Sequence, residues 1–159
     1  MEISNKNVIV TGGANGIGKA LAKAFKNAGA SYILIADLDE TEGQKTADEL
    51  GIKFKKTDVS SESDIIELIA TANNDAQSID IFCSNAGIGG APMLLDVSTK
   101  DWQNIWEINV MSHIYAAKNV LPQMIENGSG YLMNTASAAG LLTQVGAAPY
   151  SVTKAAALS

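Results

Sequence analysis

The chain has 159 residues, 47% of them apolar and 18% charged, a balance that suits one folded domain over 1–159 and excludes a disordered chain. Seventeen acidic residues against eleven basic ones give a formal charge of −6, which excludes nucleic acid and anionic membrane as partners, since both attract a cationic surface. A single cysteine, Cys83, and a single histidine, His113, exclude an intrachain disulfide and a Cys/His metal centre, and every basic residue is a lysine, so no guanidinium fork is available to a phosphate.

Residues 7–11 (Asn-Val-Ile-Val-Thr) form a short β-branched run that predicts a buried strand. After a glycine cluster, Ile17, Ala20, Leu21, Ala24, Phe25 and Ala28 recur at intervals of three and four, the stripe of an amphipathic helix that Gly29 ends. A second strand is predicted over 31–36, a polar helix over 41–50 closed by Gly51, and a weak third strand over 52–56. Ser61 with Asp64 three positions on is a capping signal for a helix carrying Ile65, Leu68, Ile69 and Ala72 on one side. A fourth strand follows over 80–84, then a long helix over 101–126, apolar around most of its girth, which Pro122 bends or ends. A fifth strand is predicted over 131–135 and a last helix over 150–159. Strands separated by single helices predict right-handed βαβ units and a parallel sheet covered on both faces. That is an α/β fold of the doubly wound Rossmann type; the usual arrangement has six strands, so the C-terminal strands are expected to be missing. No apolar run approaches the length of a membrane span, and the first residues lack the apolar core of a secretory signal, so the expected compartment is the cytoplasm.

Thr11-Gly12-Gly13-Ala14-Asn15-Gly16-Ile17-Gly18 lies between the first strand and the first helix. A diphosphate binds at such a turn because the first helical N–H groups lack partners and the helix end is positive. Glycines let the backbone come close to the ligand where a Cβ would stand in the way. Here the order is G-x-x-x-G-x-G rather than G-x-G-x-x-G, and a tight strand-to-helix turn without a ligand is the plain alternative. Asp37 ends the second strand 19 positions after Gly18, the separation expected of the acid that binds the adenosine ribose hydroxyls. A carboxylate there repels a 2′-phosphate, which predicts NAD in preference to NADP; otherwise Asp37 is a solvated acid beside Asp39 and Glu40. Tyr150 and Lys154 are four apart and share a helix face, so the ammonium can stabilise a phenolate and bring it toward the range useful for acid–base work. A tyrosine four before a lysine also arises by chance on helix surfaces.

Together these motifs resemble those of the short-chain dehydrogenases/reductases, in order and along the whole chain. The glycine loop is similar to the cofactor loop of that family's simple, single-domain branch, which implies that Gly12, Asn15, Gly16, Ile17 and Gly18 bind the cofactor along with Asp37. Asp58-Val59 is similar to the acidic-apolar pair that contacts adenine. Ser84-Asn85-Ala86-Gly87 resembles the family's Asn-Asn-Ala-Gly element, with serine in place of the first asparagine, which implies cofactor contacts from Asn85, Ala86 and Gly87. Asn109, Ser137, Tyr150 and Lys154 match the family's catalytic tetrad, and the thirteen-residue gap from Ser137 to Tyr150 is the family's own. The resemblance implies that Tyr150 takes or gives the hydroxyl proton and that Ser137 hydrogen-bonds the substrate oxygen. It implies that Lys154 lowers the tyrosine pKa and holds the nicotinamide ribose, and that Asn109 holds a water on the proton path. The implied activity is NAD(P)-dependent hydride transfer between a secondary alcohol and a ketone, with a homodimer or homotetramer built on the long helix and the Tyr/Lys helix.

His113, without a partner cluster, reads as a satisfied structural residue, Cys83 as buried filler, and Trp102 with Trp106 as packing in a core or subunit interface. Residues 89–95 and 138–149 are small and apolar enough to line a pocket for a hydrophobic alcohol or ketone. Family members continue past the Tyr/Lys helix, so the expectation is that activity belongs to a longer polypeptide and that residues 1–159 alone turn nothing over. The alternatives are a non-catalytic nucleotide-binding module and a non-redox epimerase or dehydratase relative; the glycine spacing speaks against the latter.

Overall fold

Five short strands alternate with helices in a computed structural model that describes residues 2–90, 94–142 and 145–159. In chain order they are β1 (Asn7–Thr11), α1 (Gly16–Asn27), β2 (Tyr32–Asp37), α2 (Glu40–Leu50), β3 (Lys53–Lys56), α3 (Glu62–Ala76) and β4 (Ile81–Ser84). There follow α4 (Thr99–Trp106), a π-helical segment Glu107–Met111, α5 (Ser112–Glu126), β5 (Tyr131–Asn134), a 3₁₀ turn Ala138–Gly140 and α6 (Ala148–Ala156). The strands form one parallel sheet in the order β3-β2-β1-β4-β5.

Alternate side chains of the buried strands supply two cores. Ile9, Leu34 and Phe82 point to one face and meet Ile65, Leu68 and Ile69 of α3 with Val120 and Met124 of α5. Val8, Val10, Ile33, Ile35 and Ile81 point to the other and meet Ala22 and Phe25 of α1 with Ala47 and Leu50 of α2. Both faces are therefore covered, as continuous apolar strands require. Strand order reverses between β1 and β4, and the crevice outside their carboxyl ends is where ligands bind in open α/β sheets. At the outer edge, β3 carries Lys53, Lys55 and Lys56, whose charge discourages pairing with another strand.

Caps fix the helix starts. Asp39 accepts from Glu42 N at 3.0 Å, and Ser61 accepts from Asp64 N at 3.3 Å while donating to that carboxylate at 2.8 Å. Ser98 and Asp101 repeat the pattern, at 3.1 and 2.6 Å, and start the long helix at Thr99 rather than 101. Pro122 does not end that helix: exposed on its outer side one turn before the end, it removes one N–H, and the helix runs on to Glu126. The π-helical turn divides the helix in the middle, around Asn109. The last helix starts two residues earlier than predicted, at Ala148 with Pro149 in its first turn, and ends at Ala156.

Candidate active site

A cleft of about 620 Å³ opens at the carboxyl ends of the central strands, lined from one end to the other by Asp37 and Asp58, the glycine loop, Asn85–Gly87, and then Ser137, Tyr150 and Lys154. Thr11 closes β1 beside β4. Its hydroxyl accepts from Asn85 N at 3.0 Å and Ala86 N at 3.1 Å. Asn85 returns a bond from Nδ2 to Thr11 O at 3.0 Å and accepts from the Thr135 hydroxyl at 2.9 Å, which ties the ends of β1, β4 and β5 together. Gly12, with φ 65°, lies so close to this knot that a Cβ would stand 2.9 Å from Ala86 Cα, and a Cβ at Gly18 would run into the Gly12 carbonyl. Gly16 faces open space and does not line the cleft.

Three successive groups of the loop are pinned to the next βα unit. Gly13 N donates to Ala36 O at 3.1 Å, Ala14 N to Asp37 Oδ2 at 3.0 Å, and Ala14 O accepts from the buried Thr46 hydroxyl at 2.6 Å. Asn15, the residue before α1, makes no side-chain cap, so the first amide hydrogens of the helix remain available. A diphosphate fits here: the donors are uncapped, and the backbone cradle exists only because Gly12 and Gly18 lack a Cβ. Asp58 Oδ1 accepts from Ser60 N at 2.9 Å and from its hydroxyl at 2.7 Å, which fixes the carboxylate at the edge of the cleft above buried Val59. Among the described residues that line the cleft, Lys154 is the one basic side chain, and it sits at the opposite end from Asp37.

At that end, α6 places Tyr150 and Lys154 on one face, with Nζ 6.0 Å from the centre of the tyrosine ring. Lys154 is only 4% exposed and donates to Thr135 O at 2.8 Å; burial holds its ammonium below the ordinary lysine range. Ser137 is extended, and its Oγ accepts from Ala139 N at 3.2 Å; among the described residues its proton has no acceptor, so it can be given to a ligand oxygen. Asn109 is fully buried in the π segment and does not line the cleft. Its Oδ1 accepts from Ile88 N at 2.9 Å, and its Nδ2 donates to Ile88 O at 2.9 Å and to the Thr153 hydroxyl at 3.1 Å.

Cys83 is buried filler: burial pushes its thiol up to about 12, and it rests on Met133 Sδ at 3.7 Å. The expectation for His113 needs correcting. It is 8% exposed, and neither ring nitrogen has a hydrogen-bond partner among the described residues. Burial first, and the Lys154 charge second, lower its pKa to about 4. Trp106 is 38% exposed and belongs to neither core, and Trp102 is half-buried. The buried hydroxyls of Thr11 and Thr46 went unseen in the sequence, because threonine is ordinary in strands and helices and only the fold reveals what each holds. Of the expected pocket segments, 91–93 and 143–144 lie outside the described residues; of the described residues in 89–95 and 138–149 Gly89 alone lines the cleft, beside Ile88, which was not among those expected.

Among the described residues, no three His, Cys, Asp or Glu side chains gather to hold a metal, and no helix is long and apolar enough to cross a membrane. The family model for short chain dehydrogenases matches residues 6–159. An uncharacterized oxidoreductase of Staphylococcus aureus strain MRSA252 is 32% identical over 97% of this chain and 68% of its own length. The uncharacterized oxidoreductase YvrD of Bacillus subtilis is 33% identical over all of this chain and 61% of its own length. A short-chain dehydrogenase/reductase from Burkholderia phymatum, solved in complex with NAD, superposes with a TM-score of 0.96 at 28% identity and covers 99% of this chain and 58% of that one. The chain thus spans about three-fifths to two-thirds of the proteins it matches. A parallel sheet in Rossmann order, the cradle at its switch point and these matches together make the chain a member of the short-chain dehydrogenase/reductase family of oxidoreductases.

Proposed function

We propose that this chain supplies the NAD-binding and proton-transfer parts of an oxidoreductase that interconverts a secondary alcohol and a ketone. The observation that carries the reading is a single cleft with uncapped helical amides in its middle and the Ser137–Tyr150–Lys154 group at one end. Bound there, the nicotinamide would supply the hydride chemistry, and the protein would supply position and field.

Tyr150 gives its phenolic proton to the substrate oxygen in reduction and takes it back in oxidation. Ser137, whose proton has no acceptor among the described residues, donates to the same oxygen where negative charge develops. Lys154 places a positive charge beside Tyr150 and keeps two ammonium hydrogens beyond the one given to Thr135 O, enough to hold ribose hydroxyls. Both amide hydrogens of Asn109 are already spent, so a water on the proton path would be held through remaining acceptor capacity. Asp37 takes the ribose of the adenosine, and with no cation beside it among the described residues that line the cleft the site favours NAD over NADP. The proposed partner besides the small-molecule substrate is a second copy of the protein, across the exposed apolar stripe of α4–α5 that runs through Trp106, Ile114, Leu121 and Ile125. The proposed compartment is the cytoplasm.

The test is nicotinamide absorbance with a panel of secondary alcohols, in the protein that carries this chain and in its Tyr150→Phe variant. The reading expects turnover with NAD and a loss of at least about 100-fold in kcat on removing the phenol, with NAD binding unchanged. Equal turnover in the variant contradicts it.

A further inference from the structure

Thr153 lies between the two residues assigned to proton transfer and outside the cleft, with no exposed surface. A hydroxyl has one proton to give, and here it faces carbonyls of its own helix, Pro149 O at 2.8 Å and Tyr150 O at 3.0 Å. With the proton committed, a lone pair is left to accept from Asn109 Nδ2 at 3.1 Å. The orientation of the Asn109 amide is fixed independently, because its Oδ1 must face Ile88 N at 2.9 Å. Asn109 thereby joins α6 to the loop after β4. That loop is closely fitted: a Cβ at Gly87 would stand 3.1 Å from Asn109 Oδ1 and 3.3 Å from Lys154 Nζ, and one at Gly89 would stand 3.4 Å from the Tyr150 ring.

We infer that Thr153 is a positioning residue: through Asn109 it locks the Tyr150–Lys154 helix to the Gly87–Gly89 loop. The π-helical turn that carries Asn109 serves this clamp, since such turns reorient a side chain that a regular helix would direct elsewhere. Thr153→Val keeps the shape but removes the acceptor, leaving a buried N–H of Asn109 unpaired. The catalytic consequence rests on the oxidoreductase reading above, and rates respond steeply to ångström-scale displacement. The clamp itself does not rest on that reading.

Two readouts separate the two claims. Amide hydrogen exchange at Ile88, followed by NMR, is expected to be about tenfold faster in Thr153→Val and near wild type in Thr153→Ser, which keeps the hydroxyl. In the protein that carries this chain, kcat is expected to fall about tenfold in Thr153→Val with KM for NAD unchanged, and Thr153→Ser is expected to recover it. Unchanged Ile88 exchange in the valine variant, an unchanged kcat, or equal damage in the serine variant overturns the inference. A protein without turnover on any alcohol removes the oxidoreductase reading, while Ile88 exchange still decides the clamp. If the valine variant does not fold, native-state exchange of the unmodified chain in low urea decides it. Ile88 and the α6 amides then lose protection together if the clamp holds, and separate openings overturn it.

Discussion

His113 has two ring nitrogens that the described structure leaves unpaired, in a position where the imidazole must stay neutral. Its folded pKa, about 4, lies below the ordinary 6.5, so between those values the unfolded chain binds more protons than the folded one. Stability is therefore fully present above about pH 6.5 and is lost as the pH falls through 4, by up to about 3 kcal/mol. Urea midpoints at pH 7 and near pH 4.5 should show a smaller drop in His113→Leu than in wild type; equal drops would mean that His113 does not carry this dependence. Nothing in the sequence showed that this histidine lacks partners, because satisfaction depends on which distant groups the fold brings against the start of α5. The glycine loop is the opposite case. Gly18→Ala forces a Cβ into the Gly12 carbonyl, and the expected outcome is at least about tenfold weaker NAD binding with about 1–3 kcal/mol lower stability, measured by calorimetry and denaturant unfolding. There the requirement is local, so the residues alone announce it.

Strands of this sheet were legible because burial on both faces demands unbroken β-branched and aliphatic runs, as in Ile33, Leu34 and Ile35. The Ser61–Asp64 cap was legible for the same local reason. Ser98 and Asp101 carry the same signal and went unread, because the apolar stripe of α4 first shows at Trp102. The π-helical turn has no local signature: one extra residue between two helical stripes is fixed only by what Asn109 meets across the interface. Pro122 reads as a bend or a stop because proline in a helix removes a hydrogen bond, yet the helix continues past it to Glu126, with Val120 and Met124 packed in the core on either side. Pro122→Ala restores that bond on an exposed face, so the thermal midpoint should rise by the equivalent of about 1 kcal/mol; a fall would mean that proline's restriction of the unfolded chain outweighs the bond.

The whole sheet brings to one cleft groups that are about 140 residues apart in the chain, from Gly12 to Lys154, and only parallel βαβ winding does so. Alternation of strand and helix made that winding readable, and the spacing of Tyr150 and Lys154 made their shared face readable. Hydroxyls that knot the strand ends together, such as Thr135 on Asn85, became visible only once β5 was beside β4. The proposed preference for NAD rests on the distribution of charge along the cleft, acidic at the Asp37 end and basic at Lys154. Asp37→Ala removes a charged acceptor and frees Ala14 N, and the expected result is about tenfold less preference for NAD over NADP in binding titrations; an unchanged ratio would assign selectivity elsewhere. The exposed apolar stripe of α4–α5 leads to a second expectation, that Ile125→Lys shifts the sedimentation of an oligomer toward monomer, whereas unaltered sedimentation would place the subunit contact on another face.

The claim on which the rest stands is that a dinucleotide lies with its diphosphate on the start of α1 and its nicotinamide end toward Tyr150 and Lys154. Titrating NAD into the labelled chain and following backbone amides by NMR tests it most directly. The account predicts saturable shifts at Gly12, at Asn15 to Gly18 and at Asp37, with a second group at Gly87 and Lys154. Shifts confined to other surfaces, or none at saturating NAD, would contradict it.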